Sequence, residues 1–355
     1  MKVAIVMPPA TGFMPAAAVA RWSTVTAAAE ALHRDGRADP EVHCRHVSES
    51  AVVERNGVEY RFHSSDRALA ASIGSARPDV VHVHGLGWAR LIRRLHTGVR
   101  GVPLVAQHHG ELPFTGRARA GHRMIRRHID GYLFTGASTG QVQPWVDGGV
   151  ISPTARWFEV LEAGSLLPSV PAPSVQLEGD PAVLWVGRLN EGKDPLTAVD
   201  AFALAASTLP QAHLHLLASD RTLEREVRAR IDALGVVGGR VHLHDAVPHE
   251  QIAAWYAASH LFVSTSRHEG SGYSLIEALT CGCVPVVTSI PPHRAIVGEL
   301  GGQFAPGDAR GAAVSLATCS TMPREPIATA ARTIVSWGRV AEQLVGAYTS
   351  VVQRT

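Results

Sequence analysis

The strongest constraint on the fold of this chain is the way short apolar runs alternate with longer helical stretches. Runs rich in Val, Ile and Leu recur along the whole sequence, separated by stretches rich in Ala, Leu and Arg. Apolar runs of about four to eight residues are typical of strands buried on both faces, in parallel sheets that helices cover from both sides. The alternation therefore predicts an α/β protein built from doubly wound, Rossmann-like sheets.

The predicted strands fall into two series. The first comprises Lys2–Met7, Glu41–Val47, Val80–His84, Leu104–His109, Tyr132–Thr135 and Phe158–Leu161. The second comprises Ala182–Val186, His213–Leu217, Arg240–His244, Leu261–Thr265 and Val284–Thr288. Between them, LPSVPAPSVQLEGDP has prolines, polar residues and no periodicity, as a linker does. Two doubly wound units in tandem predict ligand sites at the carboxyl ends of strands, most naturally in a cleft between the domains.

These patterns set the expected boundaries along the 355 residues. We expect an N-terminal Rossmann-like domain at 1–168, a linker at 169–180, a C-terminal Rossmann-like domain at 181–324, and a C-terminal helix at 325–355. Within the first domain, a helix is predicted over Ala16–Leu32. Asn56-Gly57, between two short β-prone runs, predicts an antiparallel hairpin beside the parallel sheet.

Composition excludes several classes of protein. The formal net charge of +2, from 33 basic and 31 acidic residues, is too small to indicate a nucleic-acid partner. No run approaches the roughly 18 apolar residues of a membrane span, and MKVAIVMPP resembles a first buried strand rather than a signal peptide. The four cysteines lack disulfide density and paired zinc spacing, so Cys281 and Cys283 are interpreted as packing residues and the expected compartment is the cytoplasm.

The most informative segment is STSRHEGSGYSLIEALTCGCVPVVTS, which predicts a strand, a glycine-containing loop, a helix and another strand. Gly270 and Gly272 let the backbone approach a ligand, and the helix that opens near Gly272 directs unpaired N–H groups at the same point. Glu277 lies inside this otherwise apolar helix, on the side away from its apolar face. A carboxylate near the interior of a domain needs hydrogen-bond donors, and the two hydroxyls of a ribose can supply them. The alternative interpretation is that Glu277 is a solvated surface glutamate.

A second segment, VLWVGRLNEGKDP, places Arg188 and Lys193 in the loop after the first strand of the second domain. Two cations at the carboxyl end of a strand can hold a diphosphate, which carries roughly two negative charges near neutral pH, without a metal ion. The alternative is a solvated surface pair. A nicotinamide-dependent enzyme is the competing fold, but its first strand should run into G-x-G-x-x-G, and here MPPATGFMP offers only Gly12.

Taken together, these segments resemble the retaining GT-B glycosyltransferases of family four, also called glycosyl transferases group 1. EGSGYSLIEALTCGCVPVV is similar to the family motif with two glutamates separated by seven intervening residues, and GRLNEGKD is similar to its G-R-L-x-x-x-K-D element. SWGRVAEQL, DVVHVH and PLVAQHHG match further family patterns. The resemblance covers nearly the whole chain and is dense between Val183 and Val287. It implies a GT-B architecture, two Rossmann-like domains facing across a cleft. The domain at 1–168 would bind the acceptor, the domain at 181–324 would bind the nucleotide sugar, and the helix at 325–355 would cross back to the first domain.

The resemblance also implies roles for individual residues. Arg188 and Lys193 would hold the donor diphosphate, Glu269 would hydrogen-bond the transferred sugar, and Glu277 would bind the ribose. The remaining donor contacts would come from Gly12, Val247 through its backbone to the nucleobase, Gly270, Ser271, Gly272, Tyr273 and Ser274. His109 would approach the sugar from the first domain, although the sequence leaves open whether His108 or His109 faces it. No metal site and no cofactor are expected, since the nucleotide-diphosphate sugar is a co-substrate.

The expected reaction is hexosyl transfer with retention, by a metal-independent same-face mechanism, to an acceptor that is a small molecule. Three alternatives stay open: a nucleotide-sugar epimerase of the same architecture, an envelope-lipid glycosyltransferase, and a non-catalytic nucleotide-sugar-binding protein. The nucleobase, the sugar, the acceptor's identity and the oligomeric state are not readable from the sequence.

Two further patterns are assigned structural roles. The pairs His82/His84, His213/His215 and His242/His244 each lie on one face of a predicted strand, but without an evident carboxylate nearby they are interpreted as structural. GRARAGHRMIRRH is a basic helix without the aromatic anchors of an interfacial helix, so contact with a membrane surface is not favoured.

Overall fold

The computed structural model describes residues 1–10, 12–46, 50–164 and 175–353. The chain divides into two compact units. The first comprises Met1–Glu162 together with Trp337–Thr355, and the second comprises Ala163–Ser336. Each unit contains one sheet covered by helices, which confirms the predicted α/β class.

The sheet of the first unit has eight strands in the order β3-β4-β2-β1-β5-β6-β7-β8. These are β1 Lys2–Met7, β2 Asp39–Arg45, β3 Ala51–Arg55, β4 Val58–His63, β5 Val80–His84, β6 Leu104–Gln107, β7 Gly131–Phe134 and β8 Trp157–Glu159. All neighbours are parallel except β3 and β4, which form the predicted hairpin. Asn56 and Gly57 both have positive φ, as a two-residue turn of this hand requires.

The helices of the first unit are α1 Pro15–Arg21, α2 Ser23–Arg34, α3 Asp66–Ala76, α4 Ala89–Gly98, α5 Gly116–Ile125 and α6 Gln143–Asp147. The single helix predicted over Ala16–Leu32 is two helices, because Trp22 has φ −91° and ψ 46°, outside the helical region. The strands β5, β6 and β7 are buried along their whole length, because helices cover both faces of the sheet.

The sheet of the second unit has six parallel strands in the order β11-β10-β9-β12-β13-β14. They are β9 Ala182–Gly187, β10 His213–Ala218, β11 Val241–Asp245, β12 Leu261–Ser264, β13 Val284–Thr288 and β14 Gly302–Phe304. The chain builds β9, β10 and β11 in one direction and then places β12 on the other side of β9. The carboxyl ends of β9 and β12 therefore flank the topological switch point, where ligands of such sheets bind.

The helices of the second unit are α7 Pro195–Ala205, α8 Glu224–Asp232, α9 His249–Ala258, α10 Tyr273–Thr280, α11 Pro291–Val297, α12 Ala309–Cys319 and α13 Arg324–Ile334. In the part of the chain that the structure describes, no helix has the length and apolarity that crossing a membrane requires.

The C-terminal segment differs in detail from the expected single helix at 325–355. It forms two helices, α13 in the second unit and α14 Trp337–Val352 in the first, with Val335 and Ser336 between them. α14 joins the first unit through Gln343, whose side chain accepts from the Leu161 amide at 3.0 Å, and through Tyr348, whose hydroxyl lies 2.8 Å from His82 Nδ1.

The first half of the predicted linker at 169–180, residues 169–174, lies outside the described residues, as do residues 165–168 before it. After them, residues 175–180 precede β9 and are held to the second unit, where the Asp180 amide donates to the Gln211 carbonyl at 2.8 Å.

Candidate functional site

The loop after β9 forms a compact turn that separates its two cations. The Asn190 amide donates to the Arg188 carbonyl at 2.8 Å, and the Asn190 carbonyl accepts from the amides of Lys193 and Asp194 at 3.2 and 3.0 Å. Arg188 is exposed, whereas Lys193 is partly buried. The turn therefore presents the Arg188 guanidinium to solvent at the carboxyl end of β9 and directs Lys193 toward the neighbouring loop.

That neighbouring loop follows β12, and the buried Thr265 fixes it against the first loop. The Thr265 hydroxyl lies 2.9 Å from the Lys193 carbonyl and 2.8 Å from the Asp194 carbonyl. It also accepts from the Trp185 indole N–H at 3.2 Å, and the Arg267 amide donates to the Gly192 carbonyl at 2.9 Å. Because these bonds join backbone to backbone and backbone to buried side chain, the two loops form one rigid edge at the switch point.

Lys193 and Glu269 meet at this edge. The Lys193 ammonium donates to Glu269 Oε1, and the Ser266 hydroxyl donates to the same oxygen at 2.7 Å. The two charged side chains are 20% and 14% exposed. Burial alone raises the pKa of Glu269, but Lys193 and Ser266 outweigh it and hold that pKa below its ordinary value. Glu269 is therefore an anion at neutral pH.

His293, at the start of α11, lies beside this pair and was not among the predicted residues. It is buried, and its Nδ1 lies 2.9 Å from the Thr288 carbonyl. Burial lowers the pKa of His293 to about 4, so the ring is neutral and Nδ1 carries the donated proton. Nε2 is then an acceptor, which lies on the side of the ring that faces Gly272.

The glycine-containing loop leads into α10 as the sequence predicted. Gly272 has φ +76° and immediately precedes Tyr273, the first residue of the helix. A Cβ on Gly272 would lie 3.4 Å from the His293 ring, in addition to the cost of that φ. Gly270 to Ser274 thus place backbone N–H groups and the positive end of the α10 dipole next to Glu269 in the chain.

Glu277 occupies the second turn of α10 and has two partners from α9. Its Oε1 accepts from His249 Nε2 at 2.8 Å, and its Oε2 accepts from the Tyr256 hydroxyl at 3.2 Å. The Glu277 side chain is 12% exposed, whereas that of His249 is 59% exposed. Glu277 is therefore neither a solvated surface glutamate nor an unpaired buried one. Spacing within α10 gives no sign of His249 or Tyr256, because both lie more than twenty residues earlier in the chain.

Val247 lies in the loop between β11 and α9, two residues before His249, and is partly buried. The loop that was expected to meet the nucleobase therefore leads directly into α9, whose His249 and Tyr256 donate hydrogen bonds to Glu277.

In the first unit, His109 lies in a network of histidines and carboxylates. Its Nε2 is 2.8 Å from His84 Nδ1, its amide donates to Glu111 Oε2 at 2.7 Å, and its Nδ1 is 3.6 Å from Glu162 Oε1. Glu111 also accepts from the Leu86 amide at 2.7 Å. Burial lowers the pKa of His109 to about 4, so the ring is neutral near pH 7.

The structure distinguishes the two adjacent histidines. His108 is buried and stacks on Phe134 with ring centroids 4.8 Å apart, whereas the His109 side chain is 25% exposed. His109 is therefore the one available to a ligand of this unit. Gly12, in the loop between β1 and α1, is exposed and has φ +79°.

Comparison with known proteins agrees with this architecture. The family described as "Glycosyl transferases group 1" matches residues 180–321. The chain is 25% identical over 253 residues to the GDP-mannose:cellobiosyl-diphosphopolyprenol alpha-mannosyltransferase of Xanthomonas campestris, an alignment that covers 69% of this chain and 65% of that protein. The chain thus spans slightly less than two thirds of the length of this relative.

Two solved structures share the fold over essentially the whole chain. Sucrose-phosphate synthase from Thermosynechococcus elongatus has a TM-score of 0.70 and 16% identity, with 100% of both chains covered. The Anabaena protein HepE, solved in complex with UDP and glucose, has a TM-score of 0.67 and 17% identity, with 99% of this chain and 100% of that one covered. The chain therefore has the GT-B fold over its whole length, and its residues 180–321 match the group 1 glycosyl transferase family.

Proposed function

We propose that this protein transfers a hexosyl group from a nucleoside diphosphate sugar to an acceptor, with retention of the anomeric configuration. The observation that carries the proposal is the edge formed by the loops after β9 and β12. There an exposed guanidinium, a partly buried ammonium and an ionised carboxylate lie at the switch point of a doubly wound sheet.

The charges of this edge support a division of roles. Arg188 and Lys193 bind the donor diphosphate, because it is the anionic part of the donor and both side chains lie at the carboxyl end of β9. Glu269, held by Lys193 and Ser266, accepts hydrogen bonds from hydroxyls of the transferred sugar. The amides of Gly270, Ser271, Gly272, Tyr273 and Ser274 line the sugar and the phosphates.

Glu277 binds the ribose diol. In the free protein its two oxygens accept from His249 and Tyr256, so the carboxylate is already oriented and desolvated. The exposed His249 gives way to a ribose hydroxyl, while the buried Tyr256 keeps its bond. The backbone of Val247, in the loop that leads to His249, is the proposed contact to the nucleobase.

The proposed mechanism keeps the acceptor and the leaving group on the same face of the sugar. The bond from the anomeric carbon to the phosphate oxygen breaks, the bond to the acceptor oxygen forms, and the acceptor proton passes to the departing phosphate oxygen. Arg188 and Lys193 stabilise the charge that develops on the diphosphate, which is the task that a metal ion performs elsewhere. Neutral His109 and the loop at Gly12 are the proposed contributions of the first unit.

For the acceptor we propose a small molecule. The exposed side of α5 carries Arg117, Arg119 and Arg123 without an aromatic side chain that would anchor it in a bilayer. One observation favours a lipid-linked acceptor instead: Leu112 and Met124, close to these arginines in the sequence, are 66% and 68% exposed. The Xanthomonas relative is named for a diphosphopolyprenol acceptor. Sedimentation with anionic vesicles separates the two, because only the lipid-linked case predicts binding that Met124→Asp abolishes.

The donor is identified by screening UDP-, GDP-, ADP- and dTDP-sugars for thermal stabilisation and for release of the nucleoside diphosphate. A bound donor raises the Tm by mass action. We expect donors of one nucleotide class to stabilise the protein. When an acceptor is present, the protein should release the nucleoside diphosphate of those donors. Stabilisation without release identifies a binding protein, and conversion of the sugar without transfer identifies an epimerase; either result overturns the proposal.

A further inference from the structure

Four histidines of β10 and β11 line one face of the second unit's sheet, away from the proposed donor site. The register pairs His215 with His242, so His213, His215, His242 and His244 alternate along neighbouring strands and point the same way. His213 Nδ1 lies 2.8 Å from His242 Nε2, and His215 Nδ1 lies 3.1 Å from His244 Nε2. The sequence shows each pair but not that the two pairs are adjacent.

A carboxylate joins the first of these contacts. Glu178 Oε2 lies 3.5 Å from His213 Nδ1 and 4.0 Å from His242 Nε2. The Glu178 side chain is 74% exposed, whereas those of the two histidines are 20% and 25% exposed. Two imidazole nitrogens and one carboxylate oxygen thus converge, with each ligand atom within 4.8 Å of the others.

The backbone of Glu178 is fixed in this position by β10. His215 Nε2 lies 2.9 Å from the Glu178 carbonyl, and the His213 amide donates to the Pro181 carbonyl at 3.3 Å. Gly179, with φ +102°, passes so close to the strand that a Cβ there would lie 2.5 Å from the His213 amide nitrogen. Local structure, including the His215 contact, therefore holds the Glu178 backbone beside the histidines.

We propose that His213, His242 and Glu178 bind a divalent ion of the Zn²⁺ class. Ligands at the usual ~2.0–2.2 Å from a tetrahedral zinc are about 3.3 Å from one another, and the observed separations of 2.8, 3.5 and 4.0 Å bracket that value. Small side-chain rotations are sufficient to seat the ion. Coordination replaces the hydrogen bond between His213 Nδ1 and His242 Nε2: with each ring protonated on its other nitrogen, both facing lone pairs are directed at the ion, and a water completes the tetrahedron.

The ligand types and the position define what the ion does. Two imidazoles with one carboxylate suit Zn²⁺, Ni²⁺ or Cu²⁺ rather than Mg²⁺ or Ca²⁺. His213 begins β10, so the site lies toward the amino end of that strand, whereas Arg188 and Glu269 follow the carboxyl ends of β9 and β12. The ion therefore ties the edge strand β11 and the segment before β9 to β10. Its role is to stabilise the second unit, not to take part in transfer.

Isothermal titration of the metal-free full-length protein with ZnCl₂ tests the site, with thermal unfolding in parallel. We expect one Zn²⁺ per chain and a rise in Tm of about 5 °C at 100-fold excess over the Kd. The exposed Glu178 permits a variant that leaves the fold intact, and Glu178→Gln should raise the Kd roughly 10-fold or more. Glu299→Gln, at an exposed glutamate of the same unit, is the matched control and should bind as the wild type does.

A second variant separates this site from the neighbouring pair. His242→Asn should remove the binding event, and His244→Asn should retain it. Equal Zn²⁺ affinity in the wild type, Glu178→Gln and His242→Asn would overturn the proposal, because the ion would then be held elsewhere among the 19 histidines. Loss of binding in His244→Asn with retention in His242→Asn would overturn it as well.

Discussion

Lys193 and Glu269 form an ion pair that joins the loop after β9 to the loop after β12. The two residues are 76 positions apart in the chain, and both belong to the predicted donor site. The buried hydroxyl of Thr265 holds the Lys193 backbone beside the second loop, and the Ser266 hydroxyl donates to the same oxygen of Glu269 as Lys193 does. The pair therefore gives the proposed site a preformed charge arrangement before any ligand binds.

Removing either cation should lower the rate of transfer without unfolding the protein. We expect Arg188→Ala and Lys193→Ala each to lower kcat by about 10², because each loses charge stabilisation that is largest in the transition state. Arg310→Ala, an exposed arginine of the same unit, is the control and should be unaffected. Steady-state kinetics with circular dichroism of each variant checks this, and near-normal kcat in both site variants would refute the assigned roles.

Transfer should not depend on a metal ion. After exhaustive chelation we expect kcat to be unchanged, since Arg188 and Lys193 supply the positive charge that the leaving diphosphate needs. The Tm should fall in the same sample if the proposed zinc site has been emptied, which separates stability from turnover. Loss of turnover that Mg²⁺ or Mn²⁺ restores would contradict the prediction.

The sequence predicts most of the architecture because alternation of apolar and helical segments is a local property. Each of the eleven predicted strands overlaps an observed strand whose bounds differ from the prediction by at most two residues at either end, and Val80–His84 and Val284–Thr288 match without any difference. β14 was missed because Gly302–Phe304 is only three residues long and contains a glycine and a glutamine. The break at Trp22 was missed because the pattern of apolar residues continues through it.

The candidate site is predictable only in part. Motif spacing indicates Lys193, Glu269 and Glu277 as residues that face a ligand, but it does not indicate their partners. His249 and Tyr256 reach Glu277 from another helix, and His293 reaches Gly272 from a third. Such contacts depend on how helices pack on the sheet, for which a single sequence contains no local signal.

Asp194 stabilises the helix that follows the Lys193 loop. It precedes α7 with φ +48°, its Oδ1 accepts from the Thr197 amide at 3.4 Å, and its Oδ2 lies 2.6 Å from the Arg267 guanidinium. We expect Asp194→Ala to lower the free energy of unfolding by about 1–2 kcal/mol, and Asp194→Asn by less, because asparagine caps helices and tolerates this φ. Urea unfolding of both variants measures the difference; equal losses would show that the cap and the backbone conformation are not the cause.

Stability should fall as the pH falls below about 6.5. Burial lowers the pKa of His63, His109 and His293 to about 4 and that of His82 to about 3. Between these values and the ordinary histidine pKa, the unfolded chain binds more protons than the folded one, so the free energy of unfolding rises with pH in this window. Each histidine contributes up to about 1.4 kcal/mol per pH unit.

Urea unfolding at a series of pH values from 7.5 to 5 tests this, with His63→Gln as the variant. Glutamine can still hydrogen-bond to His43 but does not titrate, so the slope should fall by up to about one proton. Stability that is independent of pH across the window, or a slope that His63→Gln leaves unaltered, would contradict the interpretation.

Calorimetric titration of the wild type and of Glu277→Gln with the nucleoside diphosphate of the donor tests the central claim most directly. Glutamine keeps the shape and one acceptor oxygen but loses the charge, so binding should weaken by about 1.5–3 kcal/mol, or roughly 10- to 150-fold in Kd. Because ribose contacts are shared by ground and transition states, the donor KM should rise more than kcat falls. Glu299→Gln should titrate as the wild type does. An unchanged Kd in Glu277→Gln would mean that this carboxylate does not hold the ribose and that the donor site lies elsewhere.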